Sequence, residues 1–273
     1  MSVLYGVAAA LLIGVSDSFG AQASRRSTAL QSVTAAFWAA GLAGLVISPM
    51  LGAADGDDLA RGALSGFAAA AALWTLWRSY AVSDVGVGAP MAAVVAGVIP
   101  VLIDVVRGDA PGTLGWVGIT IGMASLVLTS WSTGGRPVRP GLVMGAVAGV
   151  FFAAMFVIGA DTSVDSGIWP MTAQRLTAAL VVTSVSLVRR LPVLAGATPT
   201  RWSVLGGLAG GGAIAAVVLG GQRHPLGPIA VAASLYPAVV IALHWLLFGE
   251  RLRWWQTVGL VGALLGVVLM AAD

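Results

Sequence analysis

The chain contains neither cysteine nor lysine, and it has few charged residues of any kind. Without cysteine there is no disulfide and no thiol chemistry, so cysteine content gives no information about the compartment in which the protein lies. Only 9% of the 273 residues are charged, whereas 58% are hydrophobic. This balance excludes a soluble domain of this size, and lipid must be the solvent for most of the chain.

Motifs for enzymatic chemistry are also lacking. The only histidines are His224 and His244, and no His-Glu-x-x-His zinc motif, Gly-x-Ser-x-Gly turn or phosphate loop occurs. Residues 55–61 loosely resemble a lipid-headgroup transferase motif, but the spacing is one residue too long and the later aspartates are missing. We therefore predict no enzyme, no cofactor and no metal, with a lipid-modifying enzyme as the least favoured alternative.

The 14 basic side chains are all arginine. They lie at the ends of apolar runs rather than along one face, so they do not indicate nucleic-acid binding. The arginines instead bear on orientation, because loops rich in positive charge face the cytoplasm. The side of the N-terminus carries Arg61, Arg107 and Arg223. The opposite side carries Arg25, Arg26, Arg78, Arg136, Arg139, Arg189, Arg190, Arg201, Arg251 and Arg253. The charges favour both termini outside the cytoplasm.

Long apolar runs follow one another along the whole chain. A helix needs about 20 apolar residues to cross the hydrocarbon core, and backbone groups in lipid must be satisfied within the segment. No charged leader precedes the first run, so we expect residue 3 onward to be a retained span rather than a signal peptide. The predicted spans are 3–22, 28–50, 60–80, 86–106, 113–131, 141–160, 168–188, 203–221, 226–248 and 254–272.

The second half of the chain repeats the first. When residues 249–250 are aligned on residues 108–109, an acid follows a glycine in both, and Leu102 meets Leu243. Five spans per half is an odd number, so the second half must enter the membrane upside down.

The sequence therefore predicts an all-α integral membrane protein with ten transmembrane helices as two inverted five-helix repeats. The repeats are residues 1–131 and 141–273, joined by a linker at 132–140.

Small residues recur at a spacing of four along several spans. Such stripes let helix backbones approach closely. We expect them to pack inside one bundle rather than to form a dimer face, and a monomer or a homodimer remains open. The stripes are Gly141, Gly145 and Gly149; Gly206 and Gly210; Gly207 and Gly211; Gly62 and Gly66; Gly118 and Gly122; Gly262 and Gly266.

The end of the chain carries a family resemblance. The string SLYP at 234–237, the corner GERL at 249–252 and Gly259 resemble the end of an EamA-type carrier of the drug/metabolite transporter superfamily. The resemblance covers nearly the whole chain and is strongest from Ser234 onward. It implies a multi-pass carrier in the cell (inner) membrane, often an exporter, that moves a small organic metabolite or drug by alternating access. It also implies both termini inside. A non-transporting scaffold or receptor is the alternative.

Ionisable side chains inside a span are costly in lipid and are candidates for function. Asp17 could bind a cationic group or carry a proton, or it could pair near the membrane edge. Arg175 could hold a substrate carboxylate or neutralise an acid such as Asp17, and together they would suit a zwitterion such as an amino acid. His244 could couple proton flow to transport, although a neutral imidazole at a helix contact is favoured. The small molecule, the lipid bilayer and protons are thus the expected partners.

Two prolines lie inside predicted spans, where each removes a backbone hydrogen bond and bends the helix. Pro100 and Pro237 are predicted hinges, with a static kink as the alternative for each. Aromatic side chains could line a pocket for amphipathic solutes, although packing is the commoner role. We expect Trp77 to belong to an interface belt. The predicted substrate-binding residues are Asp17, Trp38, Trp74, Phe152, Arg175, Tyr236 and His244.

Overall fold

The computed structural model describes residues 1–24, 26–82, 85–129, 138–160, 162–239 and 254–272. These residues contain helices but no strand, so the predicted all-α class is confirmed. Two single-turn 3₁₀ segments lie at Ser48–Met50 and Val164–Ser166. The bounded α-helices are α1 (Ser2–Ser24), α2 (Ala29–Ile47), α3 (Gly56–Val82), α4 (Val85–Arg107), α5 (Thr113–Thr129), α6 (Val138–Ala160), α7 (Trp169–Val188), α8 (Ala197–Gly221), α9 (Leu226–Ser234) and α10 (Trp254–Ala271).

Seven of the described helices, α1 to α4 and α6 to α8, are long and apolar enough to cross a membrane. The described parts of the other spans are shorter apolar helices, at Thr113–Ser125, Leu226–Val239 and Thr257–Met270. Large hydrophobic side chains are exposed along them, as lipid contact requires. The chain is a multi-pass membrane protein.

Helix α8 begins six residues before the predicted span, at Ala197 instead of residue 203. The sequence assigned Pro199 to a loop, yet it lies in the first turn of α8. Proline is tolerated there because the first backbone N–H groups of a helix have no partner within it. Pro140 has the same place in α6, which begins at Val138.

Helix packing follows a regular scheme. Helix α8 packs against α1 and α2, and α3 packs against α6 and α7. Helix α9 packs against α1, and α4 packs against α6. The remaining close pairs are α2 with α7, α4 with α9, and α5 with α10. The set of pairs stays the same when the first five helices exchange places with the last five, so that α1 takes the place of α6, α2 that of α7, and so on.

The glycine stripes pack inside the bundle, as predicted. A Cβ atom on Gly118 of α5 would lie 2.7 Å from the carbonyl oxygen of Gly266 on α10, and one on Gly266 would lie 2.8 Å from the carbonyl oxygen of Gly118. The two backbones therefore approach each other where neither residue has a side chain.

Trp77 does not belong to an interface belt. Its side chain is only 2% exposed and lies in the core of the bundle. A Cβ atom on Gly20 of α1 would lie 2.8 Å from Cη2 of the indole. The interface expectation is wrong because Gly20 leaves room for the ring to turn inward.

Candidate functional site

A small central cavity, with a volume of about 70 Å³, lies among helices α1, α3, α4, α6, α7 and α8 and the end of α9. Its wall is mostly apolar and includes Leu73 of α3, Ala93 of α4, Met155 of α6 and Ile214 of α8. Both halves of the chain therefore contribute to one space in the middle of the bundle.

The structure brings four of the predicted site residues together at this cavity: Asp17, Phe152, Arg175 and Tyr236. The side chains of Asp17 and Arg175 are 8% and 7% exposed, so both ionisable groups are withdrawn from lipid and from bulk water. A carboxylate and a guanidinium thus line the same apolar chamber.

Arg175 is held by its neighbours on two sides. Its Nη2 donates a hydrogen bond of 2.9 Å to the carbonyl oxygen of Gly210 on α8, and its Cζ lies 5.5 Å from the ring centroid of Phe37 on α2. Its Nε is buried and has no hydrogen-bond partner among the residues that the structure describes. A buried polar group without a partner is costly. The Nε donor of this guanidinium is therefore unsatisfied within the described part of the chain.

Asp17 lies in the second half of α1, next to Ser16, which also lines the cavity. The hydroxyl of the other neighbour, Ser18, donates to the carbonyl oxygen of Gly14 at 2.8 Å and so is committed to its own helix. A carboxylate at this depth offers a counter-charge to a cationic group.

Helix α9 is interrupted beside the cavity. It ends at Ser234, Leu235 forms a turn, and residues 236–239 are helical again. Pro237 has no backbone N–H, so the carbonyl of Ala233 lacks its usual helical donor. The Tyr236 hydroxyl donates to the carbonyl oxygen of Ala89 on α4 at 3.3 Å. The interruption thus places Tyr236 and Ser234 at the cavity.

Helix α4 is continuous through its prolines, Pro90 and Pro100. The carbonyl that Pro100 leaves without a helical donor belongs to Ala96, which lines the cavity. The residues four positions before the two predicted hinge prolines, Ala96 and Ala233, thus both belong to the cavity wall. Pro90 was not singled out from the sequence.

The structure places Trp38 and Trp74 away from the cavity lining. The Trp38 indole Nε1 donates to Oγ1 of Thr183 at 3.0 Å, which joins α2 to α7. The guanidinium Cζ of Arg78 lies 5.4 Å from the ring centroid of Trp74. His244 lies outside the described residues, as do residues 249–252 of the predicted corner.

Several cavity residues carry no strong signal in the sequence. Ala92 and Ala96 form part of the wall on α4, and Ser16 and Ser234 contribute hydroxyl groups to it. Small residues in a span normally indicate helix packing, so only the helix arrangement shows which of them line the cavity. Gln174, fully buried beside Arg175, donates to Oγ of Ser65 at 2.9 Å, and its Oε1 has no partner in the described part of the chain.

Comparison with known proteins gives a family match for the second half of the chain. Residues 139–272 match the EamA-like transporter family. The fold matches a crystal structure with a TM-score of 0.80 at 13% identity, covering 99% of this chain and 98% of that chain. At this identity the match shows the fold alone. No curated protein matches the chain. The match over residues 139–272 agrees with the expected resemblance to EamA-type carriers, which are membrane transporters.

Proposed function

We propose that the protein is a secondary active or facilitative transporter that moves a small organic zwitterion, such as an amino acid, across the cell membrane by alternating access. The observation that carries this proposal is the placement of Asp17 and Arg175 at one apolar cavity in the middle of the bundle. The family resemblance supports export as the direction and the inner membrane as the location.

The cavity offers complementary contacts to each part of such a solute. The buried Nε of Arg175 would donate to a carboxylate, and charge-assisted hydrogen bonds of this kind are the strong ones. Asp17 would accept from an ammonium group. The apolar part of the solute would lie against Phe152 and Phe156, whose ring centroids are 6.4 Å apart.

The proposed architecture is two inverted five-helix repeats. The helix packing supports it, because the close pairs are unchanged when each helix is exchanged for the one five places along. An inverted pair of this kind gives a carrier two related half-structures that can rock about a shared site. The cavity lies where helices from both proposed repeats meet.

The interruption of α9 supports the alternating-access step. Carriers commonly bind solutes at discontinuous helices, whose unpaired backbone groups face the site. Here the turn at Leu235 separates two helical segments, and Ser234 and Tyr236 on either side of it line the cavity. We propose that Pro237 and Pro100 are the positions at which the helices bend.

Flux in proteoliposomes tests the proposed function. Purified protein would be reconstituted and assayed for the uptake of radiolabelled amino acids, with Arg175→Ala and Asp17→Asn as site variants. We expect saturable flux of at least one amino acid in the parent, and its loss in both variants. Binding without flux would indicate a receptor or scaffold, and flux that survives both substitutions would remove Asp17 and Arg175 from the site.

A further inference from the structure

A second pocket, with a volume of about 320 Å³, lies where α4 and α8 end and α9 begins. We call it the end pocket. Its lining is polar, in contrast to that of the central cavity. Arg107, Asp109 and Arg223 are exposed, so the end pocket is open to water. The polar residues that line it are Asp104, Arg107, Asp109, Gln222, Arg223 and His224.

The end pocket and the central cavity follow one another along the same four helices, α4, α6, α8 and α9. On α8, Ile214 lines the cavity and Gly221 lines the end pocket, a separation of seven residues or about 10 Å of helix. On α6, Phe156 of the cavity and Val157 of the end pocket are adjacent residues.

A layer of aliphatic side chains separates the two chambers. Val217 and Val218 of α8 are each 1% exposed, and Ile229 and Ala230 of α9 are fully buried. Val101 of α4 is 3% exposed. Along α4, α8 and α9 these positions lie between the residues that line the two chambers.

Asp104 ties α4 to α9 at the inner edge of the end pocket. Its side chain is 4% exposed, and its Oδ2 accepts a hydrogen bond from the backbone N–H of Gly227 in the first turn of α9. A Cβ atom on Gly227 would lie 3.0 Å from Cα of Val101, so the absence of a side chain allows this approach. The link to α9 was not evident from the sequence because it joins residues distant in the chain.

We infer that the end pocket is a second binding site for the transported zwitterion, used on the way between water and the central cavity. This inference rests on the proposed function. Both chambers offer a carboxylate and a guanidinium, Asp17 and Arg175 in one, and Asp104 and Arg223 in the other. The exposed charges of the end pocket are screened by water and salt. The site therefore binds more weakly than the central cavity and releases its solute readily.

Thiol labelling at the end pocket tests this inference. Since the chain has no cysteine, His224→Cys places a single thiol there for a membrane-impermeant maleimide. The probes are three compounds with similar apolar groups. Leucine carries both charges, isopentylamine carries only the positive charge, and 4-methylpentanoate carries only the negative charge. We expect leucine to slow the labelling and the two singly charged compounds to have little effect.

Matched carboxylate variants assign the effect to the end pocket. Asp104→Asn keeps an oxygen for the Gly227 N–H but removes the charge, and should weaken protection by leucine about tenfold. Asp58→Asn is the control. Asp58 is 6% exposed and accepts hydrogen bonds from Ser163 N and Ser166 Oγ outside the end pocket. This substitution should leave the protection unchanged.

A background of Arg175→Ala separates the end pocket from the central cavity. Protection of His224→Cys should persist there, because Arg175 lies in the other chamber. Equal protection by all three probes, no protection by leucine, or protection unaffected by Asp104→Asn would overturn the inference. If leucine is transported but does not slow the labelling of the thiol, the end pocket is not a binding site, and the proposed transport function still holds. If leucine slows the labelling but no amino acid is transported, the proposed transport function is wrong.

Discussion

The Arg175 guanidinium reaches from α7 to the Gly210 carbonyl oxygen on α8, and its Nη2 lies 2.9 Å from that oxygen. A Cβ atom on Gly210 would lie 2.9 Å from Oγ of Ser16 on α1, so the glycine also brings α1 close. The cation is therefore fixed on a backbone carbonyl where three helices meet. The Gly210 carbonyl and the Phe37 ring hold the side chain, and its Nε has no hydrogen-bond partner among the described residues.

Arg175→Lys should weaken the binding of a carboxylate-bearing solute although the positive charge is kept. An ammonium group is a point charge and cannot hold Gly210 while presenting a second planar donor. Since hydrogen bonds to charged groups contribute roughly 1.5–3 kcal/mol, we expect affinity to fall at least tenfold. Ligand-induced thermal shifts of the purified protein would measure the loss. Arg61→Lys, at an exposed position outside the cavity, is the control and should bind as the parent does.

Phe152→Ala should alter transport, whereas Trp38→Phe should not. Phe152 lines the cavity, and its removal takes away an apolar contact with the solute. Trp38 instead donates to Thr183, so Trp38→Phe loses one hydrogen bond between α2 and α7 and about 0.5–1.5 kcal/mol of stability. The flux KM and the thermal midpoint separate the two effects. A raised KM in Trp38→Phe would place that side chain in the solute's path.

Ionisable residues of the site could be found from the sequence more readily than aromatic ones. Asp17 and Arg175 stand out because a charge in a span is costly unless it faces a cavity or a partner. An indole is amphipathic and fits a cavity, a helix contact or an interface. The sequence could not distinguish these places for Trp38 and Trp77, because the choice depends on the facing residues, Thr183 and Gly20.

Pro237→Ala should slow turnover while leaving solute binding nearly unchanged. Alanine restores a backbone donor for the Ala233 carbonyl and favours a continuous helix through Leu235. If the interruption acts as a hinge, kcat should fall several-fold with little change in thermal shift. Pro170→Ala is the control, since Pro170 lies in the first turn of α7, where proline costs little. Unchanged turnover in Pro237→Ala would make the interruption a static feature.

Gly118→Ala should destabilise the protein, and Gly122→Ala should be tolerated. A Cβ at Gly118 would lie 2.7 Å from the Gly266 carbonyl oxygen, so α5 and α10 must move apart, at a cost of about 1–3 kcal/mol. The nearest neighbour of a Cβ at Gly122 is Cδ2 of Leu235, at 3.7 Å, an ordinary contact. Thermal unfolding in the same detergent would compare the two variants. Equal midpoints would contradict the close approach of these backbones.

Much of the helical fold could be predicted from long apolar runs, because lipid forces each run into a helix. Helix ends were less certain. Pro199 marked a loop in the sequence but fits the first turn of α8. Thr28 and Gln31 form a reciprocal cap at the start of α2, with hydrogen bonds of 3.3 and 3.2 Å, a signal that apolar patterning alone does not use.

The distribution of arginine predicts that both termini lie outside the cytoplasm, although the family resemblance implies the opposite. A reporter active only in the cytoplasm, fused after the last residue, should therefore be inactive. Activity of that reporter would show that the family orientation prevails over the charge of the loops.

Access to the central cavity from both sides of the membrane tests alternating access most directly. Ser234→Cys would place the only thiol of the chain at the cavity wall, where Ser234 is 3% exposed. An impermeant thiol reagent would be applied to one side of oriented proteoliposomes and then, separately, to the other. We expect labelling from either side, slowed by a transported amino acid in both cases. Labelling from one side alone under every condition, or from neither, would contradict alternating access through this cavity.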